Sequence, residues 1–120
     1  MRIILGGYTD SGHQYGLNAL ELDEGSGTIS LVAEHKLSNA LYQALSPDGK
    51  YLYSCTGDGL ASFRRQEAAY GAWEKIDEIE IGNCVCHVAV MPDDRRVVFA
   101  DYMGGFAGSV AVAPYRHCSH

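Results

Sequence analysis

The side chain best suited to move a proton near neutral pH is His87, at the start of the apolar run His87-Val-Ala-Val90. A neutral imidazole can take a proton from water or a hydroxyl, and its ordinary pKa lies close to working pH. Tyr42 opens a matching run, Tyr42-Gln-Ala-Leu45, 45 residues earlier. Asp101 and Tyr102 end a third run just before Met103-Gly-Gly105, and Tyr8 ends a run near the first residue. Each has a plain structural use as well. A histidine at a strand start can be a hydrogen-bonded structural group, a tyrosine can pack between sheets with a polar tip, and an aspartate before a loop can bind backbone N–H groups.

Thiols are the second set of reactive groups. The chain has four cysteines, with Cys84-Val-Cys86-His87 and the terminal His117-Cys118-Ser119-His120 together suggesting a zinc site. The spacing opposes it. Paired zinc cysteines usually lie two to four residues apart in a turn. On a strand Cys84 and Cys86 point one way and His87 the other. We expect small apolar thiols, no metal and no cofactor.

The elements that must position these groups are strands. Tyr42-Gln-Ala-Leu-Ser-Pro-Asp-Gly-Lys-Tyr-Leu-Tyr53 returns as His87-Val-Ala-Val-Met-Pro-Asp-Asp-Arg-Arg-Val-Val98, each copy a short strand, a Pro-Asp turn and a second strand. Such a period marks β-propeller blades, which run to roughly 40–50 residues and four strands each. The first full repeat gives strands over residues 42–45, 51–55, 59–64 and 73–81. An innermost strand such as 42–45 is expected to be buried on both faces. Strand 73–81 alternates, with Ile79 and Ile81 on one side and Glu78 and Glu80 on the other. The second repeat gives strands 87–90, 97–101 and 109–113, with no fourth. Before them lie strands 2–8, 16–23 and 28–37, the second and third joined by the flexible Glu24-Gly-Ser-Gly27, with Ile29, Leu31 and Ala33 on one face.

The fold class is therefore all-β: an incomplete β-propeller of about two and two-thirds four-stranded antiparallel blades. Residues 1–115 form the partial propeller, with an incomplete first blade over 1–37, a full blade over 38–82 and three strands of the next over 83–115. Residues 116–120 read as an added tail. A closed propeller needs four blades or more, about 160 residues, so the chain is expected not to close on itself.

Composition bounds the partners. Of 120 residues, 47% are hydrophobic and 20% charged, the balance of a globular chain. The net charge of -6, without a Lys/Arg cluster among aromatics, would repel nucleic acid. No apolar run is long enough for a spanning helix, so no membrane partner is expected. The start, Met1-Arg-Ile-Ile-Leu-Gly-Gly-Tyr8, has one basic residue and an apolar stretch too short for a signal core, which makes a cytoplasmic address and reduced thiols the default.

With the strands in order, the chain resembles a known family. Gly6-Gly-Tyr-Thr9, the hairpin over 16–32, Leu45-Ser-Pro-Asp-Gly-Lys-Tyr-Leu-Tyr53, His87-Val-Ala-Val90, Phe99-Ala-Asp-Tyr-Met-Gly-Gly105 and Ser109-Val-Ala-Val112 are similar, in order and spacing, to the N-terminal third of the seven-bladed β-propeller lactonases. The resemblance implies 6-phosphogluconolactonase activity: hydrolysis of 6-phospho-D-glucono-1,5-lactone in the pentose phosphate pathway, without a metal. It covers about residues 2–115. The later part of the family pattern is absent, and a truncated gene or gene fragment is expected.

Opening a lactone needs a positioned water, a base, donors for the oxyanion and, for a phosphorylated sugar, a cation at the phosphate. His87 is the candidate catalytic base; Tyr42, Asp101, Tyr102 and Tyr8 are the candidate substrate contacts. Arg64-Arg65 and Arg95-Arg96 do not converge with His87 in the strand scheme, so the isolated chain is expected to have little activity. One alternative is a non-catalytic module that self-associates through exposed sheet edges. Another is a lactone-forming isomerase of the same propeller type.

Overall fold

A computed structural model describes residues 1–7, 9, 16–66, 72–112 and 118–119. Strands dominate, and no helix forms among the described residues: β1 (Arg2–Gly6), β2 (Leu17–Asp23), β3 (Thr28–His35), β4 (Gln43–Leu45), β5 (Tyr51–Cys55), β6 (Gly57–Arg65), β7 (Trp73–Val90), β8 (Arg96–Asp101), β9 (Phe106–Val112) and β10 (Cys118–Ser119). All pairings are antiparallel. One sheet has the order β1-β2-β3, the other β10-β9-β8-β7-β6-β5-β4.

The duplicated sequence gives duplicated backbone geometry. Leu45 pairs with Leu52 and Ala44 with Tyr53 in the first copy. Val90 pairs with Val97 and Ala89 with Val98 in the second. In the turns between, the Ser46 N–H donates to Tyr51 O at 2.8 Å and the Met91 N–H to Arg96 O at 3.0 Å. Asp48 Oδ1 accepts from the Lys50 N–H, and Asp93 Oδ1 from the Arg95 N–H, each at 3.0 Å. The residue after each aspartate is left-handed: Gly49 at φ 74° and Asp94 at φ 60°. Glycine takes this conformation without strain, and aspartate is among the side chains that tolerate it.

The long strand β7 serves two blades. Its first part, Trp73–Glu80, pairs with β6, and its last part, Val85–Val90, pairs with β8. Sequence alone suggests two separate strands here. One strand instead runs from Trp73 to Val90, with Gly57 pairing to Val85 beyond the Gly59–Glu80 pair, and irregularities at Gly57/Gly59 and Val85/His87 absorb the change of partner. Four strands, β4 to β6 and the first part of β7, make the middle blade, and β7 to β9 carry the next. Strand β10 pairs with Val112 and Ala111 on the outer side of β9, where the sequence offered no fourth strand.

Two apolar seams hold the blades together. Leu17, Ala19, Leu37, Ala40, Leu52, Ala61, Phe63 and Trp73 fill the seam between the first sheet and the middle blade. Tyr53, Cys55, Leu60, Val85, Val88, Val97, Phe99 and Val110 fill the next. Alternation along β5 sends Leu52 to one seam and Tyr53 to the other, so the middle blade is buried on both faces. Each fully buried Leu, Val or Phe contributes about 1.5–3 kcal/mol.

Two expectations are corrected. Innermost strand β4 is not buried on both faces: Leu45 and the preceding Tyr42 are 51% and 42% exposed, because this short strand ends its sheet and pairs only with β5. Ile29, Leu31 and Ala33 do not share a face. A bulge lets Ala33 pair with Ala19 but Leu31 with Leu20, leaving Val32 as the extra residue. Ala33 then packs on the seam, while Ile29 and Leu31 stay more than half exposed.

Candidate active site

The register of the repeat puts Tyr42 and His87 at equivalent points: the Tyr42 carbonyl bonds to Cys55 just before the β4–β5 pairing begins, and His87 pairs with Ala100 in the β7–β8 ladder. The fold brings the two rings together. Their centroids are 4.0 Å apart and their planes 31° from parallel, a stacked contact across the inner end of a blade seam. Tyr42 is fixed from behind, its carbonyl accepting from the Cys55 N–H at 2.9 Å. His87 is fixed by pairing with Ala100 just after the bulge at Val85/His87. The His87 residue is exposed, and neither ring nitrogen bonds to a described residue.

Asp101 lies elsewhere in the same blade and is 97% hidden from solvent, at 3% exposure. Its Oδ2 accepts from the Cys84 N–H at 3.3 Å and its Oδ1 from the Gly104 N–H at 2.6 Å. A side chain at Gly82 would collide with the same carboxylate. These contacts clamp the turn after β8 onto the stretch of β7 that leads to His87. Tyr102, the next residue, is 76% exposed, its N–H donating to Cys84 O at 2.9 Å. Tyr8 lies outside the described residues, as do His117 and His120.

The thiols near this region differ in character. Cys55 is buried and free, and burial, with Cys86 and Cys84 nearby, pushes its thiol up to about 12. Cys84 and Cys86 are free and half-buried, the Cys86 Sγ lying 3.8 Å from Ala100 O. Among the described residues no cluster of three or more His, Cys, Asp or Glu side chains could hold a metal ion. Several arginines are engaged away from the stack: Arg64 with Glu74 at 3.0 Å, Arg96 with Ser109 at 2.8 Å and Arg2 with Glu21 at 3.2 Å. Arg95 and Arg96 sit at the β7–β8 turn, at the other end of the ladder from the His87–Ala100 pair.

Sequence reasoning missed three contributors: Gly82 and Gly104, which make room for the Asp101 carboxylate, and Cys55, whose backbone anchors Tyr42. A glycine close in sequence to a strand-ending aspartate was the available signal for Gly104. Nothing local marks Gly82 or Cys55.

Stacked antiparallel sheets of one repeated register, with side chains gathered at inner-strand starts, define a β-propeller-type protein with open ends. The chain belongs to the seven-bladed β-propeller lactonase family, whose model matches residues 2–119. Solved structures agree on the fold. A Bacteroides uniformis protein assigned as a 6-phosphogluconolactonase superposes with a TM-score of 0.87 at 21% identity, over 98% of this chain and 35% of its own. The periplasmic gluconolactonase of Pseudomonas aeruginosa gives 0.89 at 17%, over 98% and 36%. A Lactobacillus plantarum protein gives 0.81 at 26%, over 98% and 35%. The chain thus spans about a third of the length of these structures. Among curated proteins there is no significant match.

Proposed function

We propose that the chain is part of a lactonase propeller that opens a sugar lactone of the 6-phospho-D-glucono-1,5-lactone type, with His87 as general base. The carrying observation is the exposed imidazole at an inner-strand start, both nitrogens unbonded to described residues, in a chain of the lactonase family. His87 takes a proton from water as the oxygen adds to the ring carbonyl. The ring C–O bond then breaks, and the ring oxygen receives a proton to give the open acid. Tyr42 flanks the sugar on this reading, Tyr102 reaches it from the loop that Asp101 holds, and Tyr8, outside the described residues, is kept as a proposed contact. A cytoplasmic address with reduced thiols is part of the same proposal.

The 120 residues alone are proposed to be weakly active. A general base by itself contributes roughly 10²–10⁴ in rate, and the arginines at Arg64 and Arg96 are engaged with Glu74 and Ser109. Hydrolysis of phosphogluconolactone and of its unphosphorylated analogue, compared between the wild-type chain and His87→Ala, tests both parts. A small rate lost in His87→Ala is expected. Hydrolysis indifferent to His87→Ala would overturn the base assignment, and turnover far above spontaneous hydrolysis would overturn the weakness. Product analysis separates the open acid from a rearranged lactone, the outcome expected of an isomerase.

A second reading is favoured by one observation. Leu5, Ile29 and Leu31 of the first sheet are each more than half exposed, and β1 and β4 end their sheets. Such surfaces support self-association. Light scattering on the eluting protein that found a monomer at low and high concentration would remove it.

A further inference from the structure

We infer that Tyr42 orients the His87 imidazole and covers one of its faces, which makes Tyr42 a positioning residue for the proposed base; the inference rests on the reading of His87 given above. A working histidine is ordinarily held by a hydrogen bond from one ring nitrogen to a carbonyl or carboxylate, which sets both tautomer and ring plane. His87 has no such bond to a described residue. The torsion that turns an imidazole about its Cβ–Cγ bond is broad and roughly two-fold, so without a partner the ring plane is loosely set. The phenol of Tyr42, 4.0 Å away and 31° from parallel, takes over that task.

The stack is built on two fixed backbones. Tyr42 is tied to Cys55 through its carbonyl, and His87 is locked in the ladder opposite Ala100. The rings come from consecutive blades, so their contact also joins the inner ends of those blades. The accepting electron pair of an imidazole nitrogen lies in the ring plane. A stacked phenol therefore covers a face without touching the proton-accepting atom, and a ligand must approach along the edge or from the uncovered face. The two equivalent positions of the repeat divide the work: tyrosine supplies a surface and histidine the titrating group.

An aromatic stack of this kind biases the ring orientation by roughly two- to tenfold. The test uses the whole chain and compares wild type, Tyr42→Phe and Tyr42→Leu, with His87 resonances assigned by their loss in His87→Ala. In wild type and Tyr42→Phe the His87 ring protons are expected upfield, in the ring current of the neighbour. In Tyr42→Leu they are expected at the position of an exposed histidine, and His87 acylation by diethyl pyrocarbonate is expected to rise roughly two- to tenfold. Unchanged resonances and acylation in Tyr42→Leu would overturn the inference, as would a change in Tyr42→Phe as large as that in Tyr42→Leu. Should Tyr42→Leu fail to fold, His87→Ala gives the reciprocal reading: the Tyr42 ring resonances must move, and their constancy would equally overturn the contact. These signals do not depend on lactone turnover. A chain that shows them while its hydrolysis is indifferent to His87→Ala would refute the base assignment alone.

Discussion

The backbone N–H of Trp73 donates to Nε2 of His35 at 3.3 Å, tying the end of β3 to the start of β7. A nitrogen that accepts is unprotonated, so this imidazole is neutral and carries its proton on Nδ1. Its ring lies 6.1 Å from that of Phe63. Burial holds its pKa below the ordinary 6.5, since the charged form loses hydration there.

Acid is therefore expected to weaken the joint between the first sheet and the middle blade. A histidine whose folded pKa is depressed binds protons more readily in the unfolded chain. Its contribution is fully present above 6.5 and is lost as pH falls through the lower folded value. Melting temperatures measured between about pH 8 and pH 5 should fall in this window. His35→Gln, which keeps an acceptor but cannot titrate, should flatten that part of the profile.

The clamp around Asp101 predicts a pair of costly substitutions. Gly82→Ala places a methyl against the Asp101 carboxylate and should destabilise by about 1–3 kcal/mol, the usual cost of overpacking. Asp101→Ala leaves the N–H groups of Cys84 and Gly104 without this acceptor, at about 1–3 kcal/mol for each group that stays buried. Urea unfolding measures both.

The two Pro-Asp turns make a backbone prediction free of packing. A Cβ at Gly49 would meet nothing within 4 Å, yet its φ is 74°. Gly49→Ala should thus cost about 1–2 kcal/mol through conformation alone. Gly49→Asp, the residue the second copy uses at Asp94, should cost less. Equal losses in the two variants would contradict the left-handed assignment.

Alkylation should separate the thiols. Cys55, buried and pushed up to about 12, holds almost no thiolate at neutral pH. Iodoacetamide followed by peptide mass spectrometry should find Cys84 and Cys86 labelled first, and Cys55 labelled on unfolding. Early labelling of Cys55 in the native chain would show the second seam to be open.

Local chemistry is what the sequence discloses well. The Pro-Asp turns, the span of β5 and the equivalence of Tyr42 with His87 follow from residues close together in the chain. The bulge at Val32 does not, because Leu31-Val32-Ala33 is apolar throughout and the pattern cannot mark which residue is extra. Nor does the continuity of β7, where Gly82 and Asn83 resemble a break but the strand runs on, with Gly57 pairing to Val85 beyond them. The ring contact at Tyr42 and His87 depends on how consecutive blades tilt, which no single strand encodes. Asp101, grouped with the substrate contacts on sequence, turns its carboxylate into backbone N–H groups because glycines at 82 and 104 admit it.

The middle blade, buried on both faces, has a consequence for how the molecule comes apart. Stability in such a row is a sum over neighbouring interfaces, as in repeat arrays. The first sheet and the last blade can each open while the other seam stays closed, whereas the middle blade opens only when both seams are lost. Its amides, those of Leu52, Tyr53 and Leu60 among them, are therefore expected to exchange more slowly than those of the first sheet and the last blade.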